Sequence, residues 1–438
     1  MVITNEFKCQ TDSDTIEKAI QNRSADGIVI ISPRESDIEP ERKYWLIDRA
    51  ILIPENTTII LQNCKIKLSD RCRDNFFRSA NCGIGIDFPE KIQNIHIRGE
   101  GLCILEGADH PRSTGDASKR LQNPCPFLPE DICKYADYIP KEHRDLGKPT
   151  WEDFHDFSYG TDCGKEGESQ YGDWRNIGIL FANTEFFSIS NLRIVESHGW
   201  GISMEACSNG SVSKIAFDAR MFKEIDGILM NIENQDGVNL RNGCHHITVS
   251  DISGQTGDDV IALTAIARAK NFVPGGSMKT IHVMHNDYTK RERNTHDIII
   301  RNVTAHSFYC YELRLLVGNT EIYNVIIDGV IDVGPTLPHD GQGTLVFGDY
   351  SDDNSIEGRI HDITVSNCIC GCVPLGKNMH NLSFPGLTAG IAIGMGGDIK
   401  DSSFVNVINK NPNEPMFAFG KKKRKYFINV KKENFVNE

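Results

Sequence analysis

A short strand-like pattern recurs along this 438-residue chain, and it constrains the fold more than any other feature. Two or three alternating apolar positions are followed by a polar residue or glycine, then by another apolar one. The pattern appears at Phe187–Leu192 (FSISNL), Ser211–Ile215 (SVSKI), His246–Ile252 (HITVSDI), Asp297–Val303 (DIIIRNV), Asn324–Val330 (NVIIDGV) and Asp362–Cys368 (DITVSNC), with an earlier copy from Asn94 (NIHIRGEG). Aligning Ile189, Val212, Val249, Ile300, Ile327 and Val365 gives intervals of 23, 37, 51, 27 and 38 residues. Period-two alternation bounded by Asn, Asp and Gly marks half-buried strands. Repeats of roughly 20–30 residues, some lengthened by loops and without amphipathic helices between them, predict coils stacked as a parallel β-helix. The competing fold, a β-sandwich, spaces its strands more closely, at about 8–12 residues.

Because solenoids grow by repetition, the whole of 1–438 fits one all-β domain, a single-stranded right-handed parallel β-helix. The 38 glycines and 39 % apolar content suit a turn-rich β protein. The stretch Ser13–Asn22 (SDTIEKAIQN) predicts a helix capped by Ser13, within an N-terminal cap of about 10–30 that covers the open edge of the first coil. Residues 106–178 break the rhythm with Pro, Asp, Lys and Tyr, and include Trp151, His155, Tyr159 and Trp174. Such a long loop excursion is usually functional. Its aromatics either stack on sugars as a groove wall or simply anchor the loop. The basic segment 420–438 is expected to be a tail or an end cap.

The formal net charge of −13 argues against a nucleic-acid partner, while a few local Arg or Lys residues still suffice to hold one anionic sugar. The first residues, MVITNEFKCQTDSD, lack a basic start followed by an apolar run, and no stretch approaches the apolar length of a membrane span. With 14 scattered cysteines read as reduced, mostly buried thiols, the expectation is a cytoplasmic protein without a membrane partner.

The chemistry concentrates between Asn234 and Leu263. Asp236 sits in an Asn-x-Asp-Gly turn, and the adjacent pair Asp258 and Asp259 begins 22 residues later, about one coil on. Stacking brings all three carboxylates to one face, which suits acid/base hydrolysis of a glycosidic bond. Asp-Gly is also ordinary turn chemistry, and it recurs at Asp226, Asp328 and Asp340, so Asp236 alone says little. Two aspartates inside an apolar strand context are harder to explain by turns.

These segments carry a resemblance. The runs ESHGWGISMEACSNGSVSKIAF, NQDGVNL and TGDDVIAL resemble glycoside hydrolase family 28, the polygalacturonases, over about residues 190–265. The segments DTIEKAIQ and YWLIDRAILIPENTTIILQNCKIKL resemble the opening coils of pectin-lyase-like β-helices. The resemblance implies an inverting hydrolase without metal or organic cofactor, acting on pectin-type, uronic-acid-containing oligosaccharides. It implies Asp258 as general acid, Asp236 and Asp259 as the groups that orient and deprotonate water, and Asn234 as a substrate or carboxylate contact. The family's Gly-His-Gly and Arg-x-Lys are not intact here. Either Arg314 stands for the Arg, with Leu316 in place of the Lys, or the same strand is the Gly-His-Gly coil with His306 or Tyr311 nearby. The grip on a uronate carboxylate is the feature this puts in question. Exo-cleavage of oligosaccharides is expected, with 106–178 or the 264–295 loop closing one end of the groove.

Other groups read as structural. Cys368, Cys370 and Cys372 alternate along one strand and predict a core ladder rather than a zinc site, His245-His246 opens a strand, and Trp200 is expected to be buried. His282, His285 and His296 are placed in the inserted loop. A lyase of the same fold, with an Arg or Lys base beside a bound calcium, and a non-catalytic carbohydrate-binding β-helix are the alternatives. A homo-oligomer is compatible with the sequence.

Overall fold

The structure is a computed structural model that describes residues 1–70, 72, 74–83, 86, 88–109, 122–124, 173–219, 222–225, 228–232, 234–265, 283–284, 291–318, 320–335, 341–348, 359–375, 380–381, 383–384, 386–420 and 425–438. Among them, 15 strands form one long sheet and 10 form a second, and the pairings within both are parallel between successive coils. This is the parallel β-helix that the spacing predicts. Ile189 lies in register with Val212, Val212 with Val249, Val249 with Ile300, Ile300 with Ile327 and Ile327 with Val365. Ile97 of the early copy pairs with Ile189, and Val365 pairs onward with Phe404. All of these side chains are buried in one continuous core.

The polar position within each repeat has a backbone purpose. The long strands bend twice, five residues apart, at left-handed φ: His246 and Asp251, Asp297 and Asn302, Asn324 and Gly329, Asp362 and Asn367, Asp401 and Asn406, Asn429 and Asn434. That conformation costs most L-residues about 1–2 kcal/mol, whereas Gly, Asn and Asp visit it readily. Stacking then pairs the bends. The Asn302 amide donates to Asp251 at 3.1 Å, Asn406 to Asn367 at 2.9 Å and Asn434 to Asn406 at 2.9 Å.

The first coil is covered by the helix Asp12–Gln21, which buries Ile16, Ala19 and Ile20. Its N-cap is Thr11, whose hydroxyl accepts from the Asp14 N–H at 3.1 Å. Ser13, expected as the cap, lies inside the first turn, and its hydroxyl accepts instead from Asp48 N–H across the packing interface. At the other end, Phe427–Asn437 pairs in parallel with Ile399–Asn409 as a further rung. His296 is not in a loop but in the strand Thr295–Ser307, where its ring stacks 5.0 Å from His245 and 4.8 Å from Tyr323. Cys368 and Cys370 are core residues, while Cys372 lies half-buried beyond their strand. The described cysteines are free thiols, most of them buried. Trp174 is buried and Trp200 half-buried on the outer face of the second sheet. Trp151, His155, Tyr159, His282, His285 and most of the 106–178 and 264–295 segments lie outside the described residues, and with them the expected closure of the groove. No described helix is long and apolar enough to cross a membrane.

Candidate active site

The second sheet brings the three aspartates to one corner of the coil. Val238 pairs with Ile261, which puts Asp236 and Asp259 at matching positions one rung apart, a strand spacing of about 4.8 Å. The Gly237 N–H donates to the Asp259 carbonyl at 2.8 Å, locking that register. Beside it, the Gln235 carbonyl accepts from the N–H groups of Gly257 at 3.1 Å and Asp258 at 3.3 Å. The Asn-x-Asp-Gly turn is thereby fastened directly to the Gly-Asp-Asp turn. Gly237 is required sterically, because a Cβ there would lie 2.4 Å from the Val260 carbonyl oxygen.

The acids, which precede their strands, are oriented by partners that period-two alternation turns outward. Val238 and Leu240 point into the core, so Asn239 points outward, and its amide donates to Asp236 Oδ2 at 3.1 Å. Likewise Leu313 and Leu315 are core residues, so Arg314 points outward, and its Nε reaches Asp259 Oδ2 at 3.1 Å. Asp236 and Asp259 therefore carry their carboxylates on the outer face. Asp258 lies between them in the chain's second turn, and its Oδ1 accepts from the Asp259 N–H at 2.9 Å. Its carbonyl is held by the hydroxyls of Thr256 and Ser307. The exposures are 5 % for Asp236, 8 % for Asp258 and 3 % for Asp259, so water screens these charges little.

Burial first, then the charges of Asp258 and Asp259, push the Asp236 carboxyl well above the ordinary carboxylate range. Asn239 and Arg314 oppose that rise without cancelling it. The trio therefore holds a proton where isolated aspartates would have lost theirs. Asp259 is compensated by Arg314 and by the Tyr311 N–H, which donates to Oδ1 at 3.1 Å.

The residues expected to bind substrate take three different positions. Asn234, at left-handed φ and buried, opens the turn that carries Asp236. Arg314 faces the trio, with Nε on Asp259, a terminal nitrogen 3.2 Å from Cys310 Sγ and its guanidinium over the Tyr311 ring. His306 is buried with Nδ1 2.9 Å from Asp332 and 3.3 Å from Glu312. Burial opposes a charge on that imidazole, but the two carboxylates outweigh it and raise it to about 9. Sequence reasoning missed Asn239, Cys310 and the Tyr311 amide. Asn239 was within reach, since it is the outward position after Val238; the others depend on the 52-residue jump to the next rung, which no pattern announces. Asp258, Asp259 and Cys310 bring their oxygens and sulfur within 4.8 Å of one another, a spacing a metal accepts. Arg314 already delivers a positive charge to two of these groups, which fits a site that works without a cation.

Comparison with known proteins matches the fold. No protein-family model matches the sequence, and neither does any curated protein. Among solved structures, the family 28 exopolygalacturonase of Yersinia enterocolitica is 13 % identical with a TM-score of 0.52, over 99 % of this chain and 77 % of that one. PfbA, a surface adhesin of Streptococcus pneumoniae, is 10 % identical with a TM-score of 0.53, over 100 % and 91 %. A mutant tailspike of E. coli bacteriophage HK620, in complex with a pentasaccharide, is 12 % identical with a TM-score of 0.53, over 100 % and 66 %. The fold is thus shared with a member of the family that the motifs resemble, and equally with an adhesin and a tailspike.

Proposed function

We propose that this chain is a glycoside hydrolase that cleaves oligosaccharides with inversion, using Asp258 as general acid and Asp236 with Asp259 to orient and deprotonate water. The observation that carries this is the aspartate trio on two adjacent rungs, with Arg314 on Asp259 among the described residues and a retained proton. Inverting hydrolysis needs that mixed protonation, one carboxyl to protonate the leaving oxygen and another to activate water. Burial and the charges of Asp258 and Asp259 raise the Asp236 carboxyl, so the cluster keeps one proton. The assignment of the acid to Asp258 rather than to Asp236 follows the family resemblance.

Pectin-type oligosaccharides containing uronic acid are the proposed substrates, cut from one end and inside the cell. Arg314 is turned toward Asp259, so recognition of a uronate carboxylate falls to its remaining guanidinium donors or to other cations. The test is a panel of uronic-acid and neutral oligosaccharides, with product anomers followed by NMR. Asp258→Asn should lower turnover by about 10²–10⁴-fold while oligosaccharide binding persists. Undiminished turnover in that variant overturns the acid assignment. An unsaturated uronide product abolished by chelator identifies a lyase instead, and binding without any product in the wild type identifies a carbohydrate-binding β-helix.

A further inference from the structure

We propose that His306, Glu312, Asp332 and Cys372 form a second site, one that binds a divalent transition metal, with zinc the best match. The four residues come from three successive coils at a single corner, His306 and Glu312 from the same one. His306 lies near the end of Thr295–Ser307, Glu312 at the start of Tyr311–Val317, Asp332 at the end of Ile322–Asp332 and Cys372 just after Ile360–Cys370. Nδ1 of His306 is 2.9 Å from Asp332 Oδ1 and 3.3 Å from Glu312 Oε1, and the donor atoms of His306, Asp332 and Cys372 all lie within 4.8 Å of one another. Tetrahedral zinc, with bonds of about 2.0–2.3 Å, sets its ligand atoms about 3.3–3.8 Å apart. The cluster brackets that distance.

An independent observation points to a ligand. Glu312 is 1 % exposed, and its second oxygen, Oε2, has no hydrogen-bond partner. Its other oxygen accepts from the Ser307 N–H at 3.0 Å, which holds the carboxylate head against the imidazole. A buried carboxyl oxygen without a donor demands a proton or a cation. The imidazole supplies at most one positive charge to two buried carboxylates. The donor set of one nitrogen, two carboxylates and one thiol is borderline-soft, which suits zinc or cobalt and disfavours calcium and magnesium.

The site would brace the aspartates without touching them. Ser307, which donates its N–H to Glu312, donates its hydroxyl to the Asp258 carbonyl at 2.8 Å. Tyr311, next to Glu312, donates its N–H to Asp259. A metal here would fix the 306–312 segment that supports both acids. Metal binding itself does not depend on the hydrolase reading.

The test strips the full-length protein with chelator and titrates it with cobalt(II), then zinc. One equivalent of cobalt should develop thiolate-to-metal charge-transfer absorption, and zinc should displace it. Cys372→Ser should lose the band and bind zinc at least tenfold more weakly, and Asp332→Asn should also weaken binding, with folding checked by circular dichroism. Cys310→Ser should keep the band. The proposal is overturned if the folded wild type takes up no saturable equivalent. It is equally overturned if the band survives Cys372→Ser or disappears only in Cys310→Ser. The wild-type titration decides by itself should a variant fail to fold.

Discussion

Replacing Arg314 by Met tests the electrostatics of the site most directly. The pair is buried on both sides, with the Arg314 side chain 8 % and the Asp259 side chain 4 % exposed, and Nε lies 3.1 Å from Oδ2. At an effective dielectric near 20, charges at that distance attract by about 5 kcal/mol before desolvation is subtracted. Removing one partner of a buried pair typically costs about 3–5 kcal/mol, because the remaining charge is stranded. Here the loss has a ceiling, since Asp259 can take up a proton. Protonating an ordinary carboxyl, with a pKa of about 3.9, costs about 4 kcal/mol at pH 7 and about 1.5 kcal/mol at pH 5. Arg314→Met should therefore destabilise by about 3–4 kcal/mol at pH 7 and only about 1.5 kcal/mol at pH 5. The sign follows from linkage: the folded variant binds a proton that the unfolded chain has released, so its stability falls as pH rises. The assay is urea unfolding followed by tryptophan fluorescence at the two pH values. In Asp259→Asn/Arg314→Met no proton is taken up, so the extra pH dependence should vanish and the double variant should cost less than the sum of the singles. A loss under about 1 kcal/mol at pH 7, an equal loss at both pH values, or simple additivity would show that Arg314 does not neutralise Asp259 as described.

Three further outcomes are expected. Asp236→Asn should abolish turnover yet raise stability at pH 7 by on the order of 1 kcal/mol, since the folded wild type must bind a proton there that the unfolded chain has released. The wild-type contribution of this raised carboxyl is present below about pH 4 and lost as pH rises, so the variant's advantage in chemical denaturation should grow between pH 4 and 7. Asn406→Ala, at φ 55° and joined by amides to Asn367 and Asn434, should lose about 2 kcal/mol in urea melts, while Asn406→Gly should lose less because it keeps the left-handed bend. Gly237→Ala should drive a methyl toward the Val260 carbonyl, shift the rung that carries Asp236, and lower turnover about 10²-fold in steady-state assays with the chain still folded.

Much of the fold was legible because stacking makes register a local property. Each apolar anchor from Ile189 to Val365 must point into the same narrow core, so irregular spacing along the chain still resolves into a straight column in space. The Asn, Asp and Gly that interrupt each repeat were visible as polar punctuation, but their left-handed bends and amide ladders appear only when coils are stacked. The helix cap moved from Ser13 to Thr11 because Ser13 is taken by Asp48, a contact 35 residues away that no local rule contains. His296 was misplaced for a similar reason: the polar stretch before it hides the start of a strand whose outer face carries a stacked row of rings. At the candidate site, the interval from Asp236 to Asp259 matches one rung and was readable. Arg314 could be nominated, but not its direction toward Asp259, because a 52-residue excursion separates their coils.

The partners supplied by neighbouring rungs explain why this corner can be reactive at all. At the position taken by Asp236 and Asp259, the side chains meet what neighbouring rungs present outward, among the described residues Asn239 on one and Arg314 and the Tyr311 amide on the other. Those partners are unequal, a neutral amide for Asp236 and a full cation plus a backbone donor for Asp259. Unequal compensation within one crowded cluster is what separates acids into a charged member and a protonated one. Among the described residues these three carboxylates share Arg314, which leaves room for one proton, and a proton is the reagent an inverting hydrolysis consumes first.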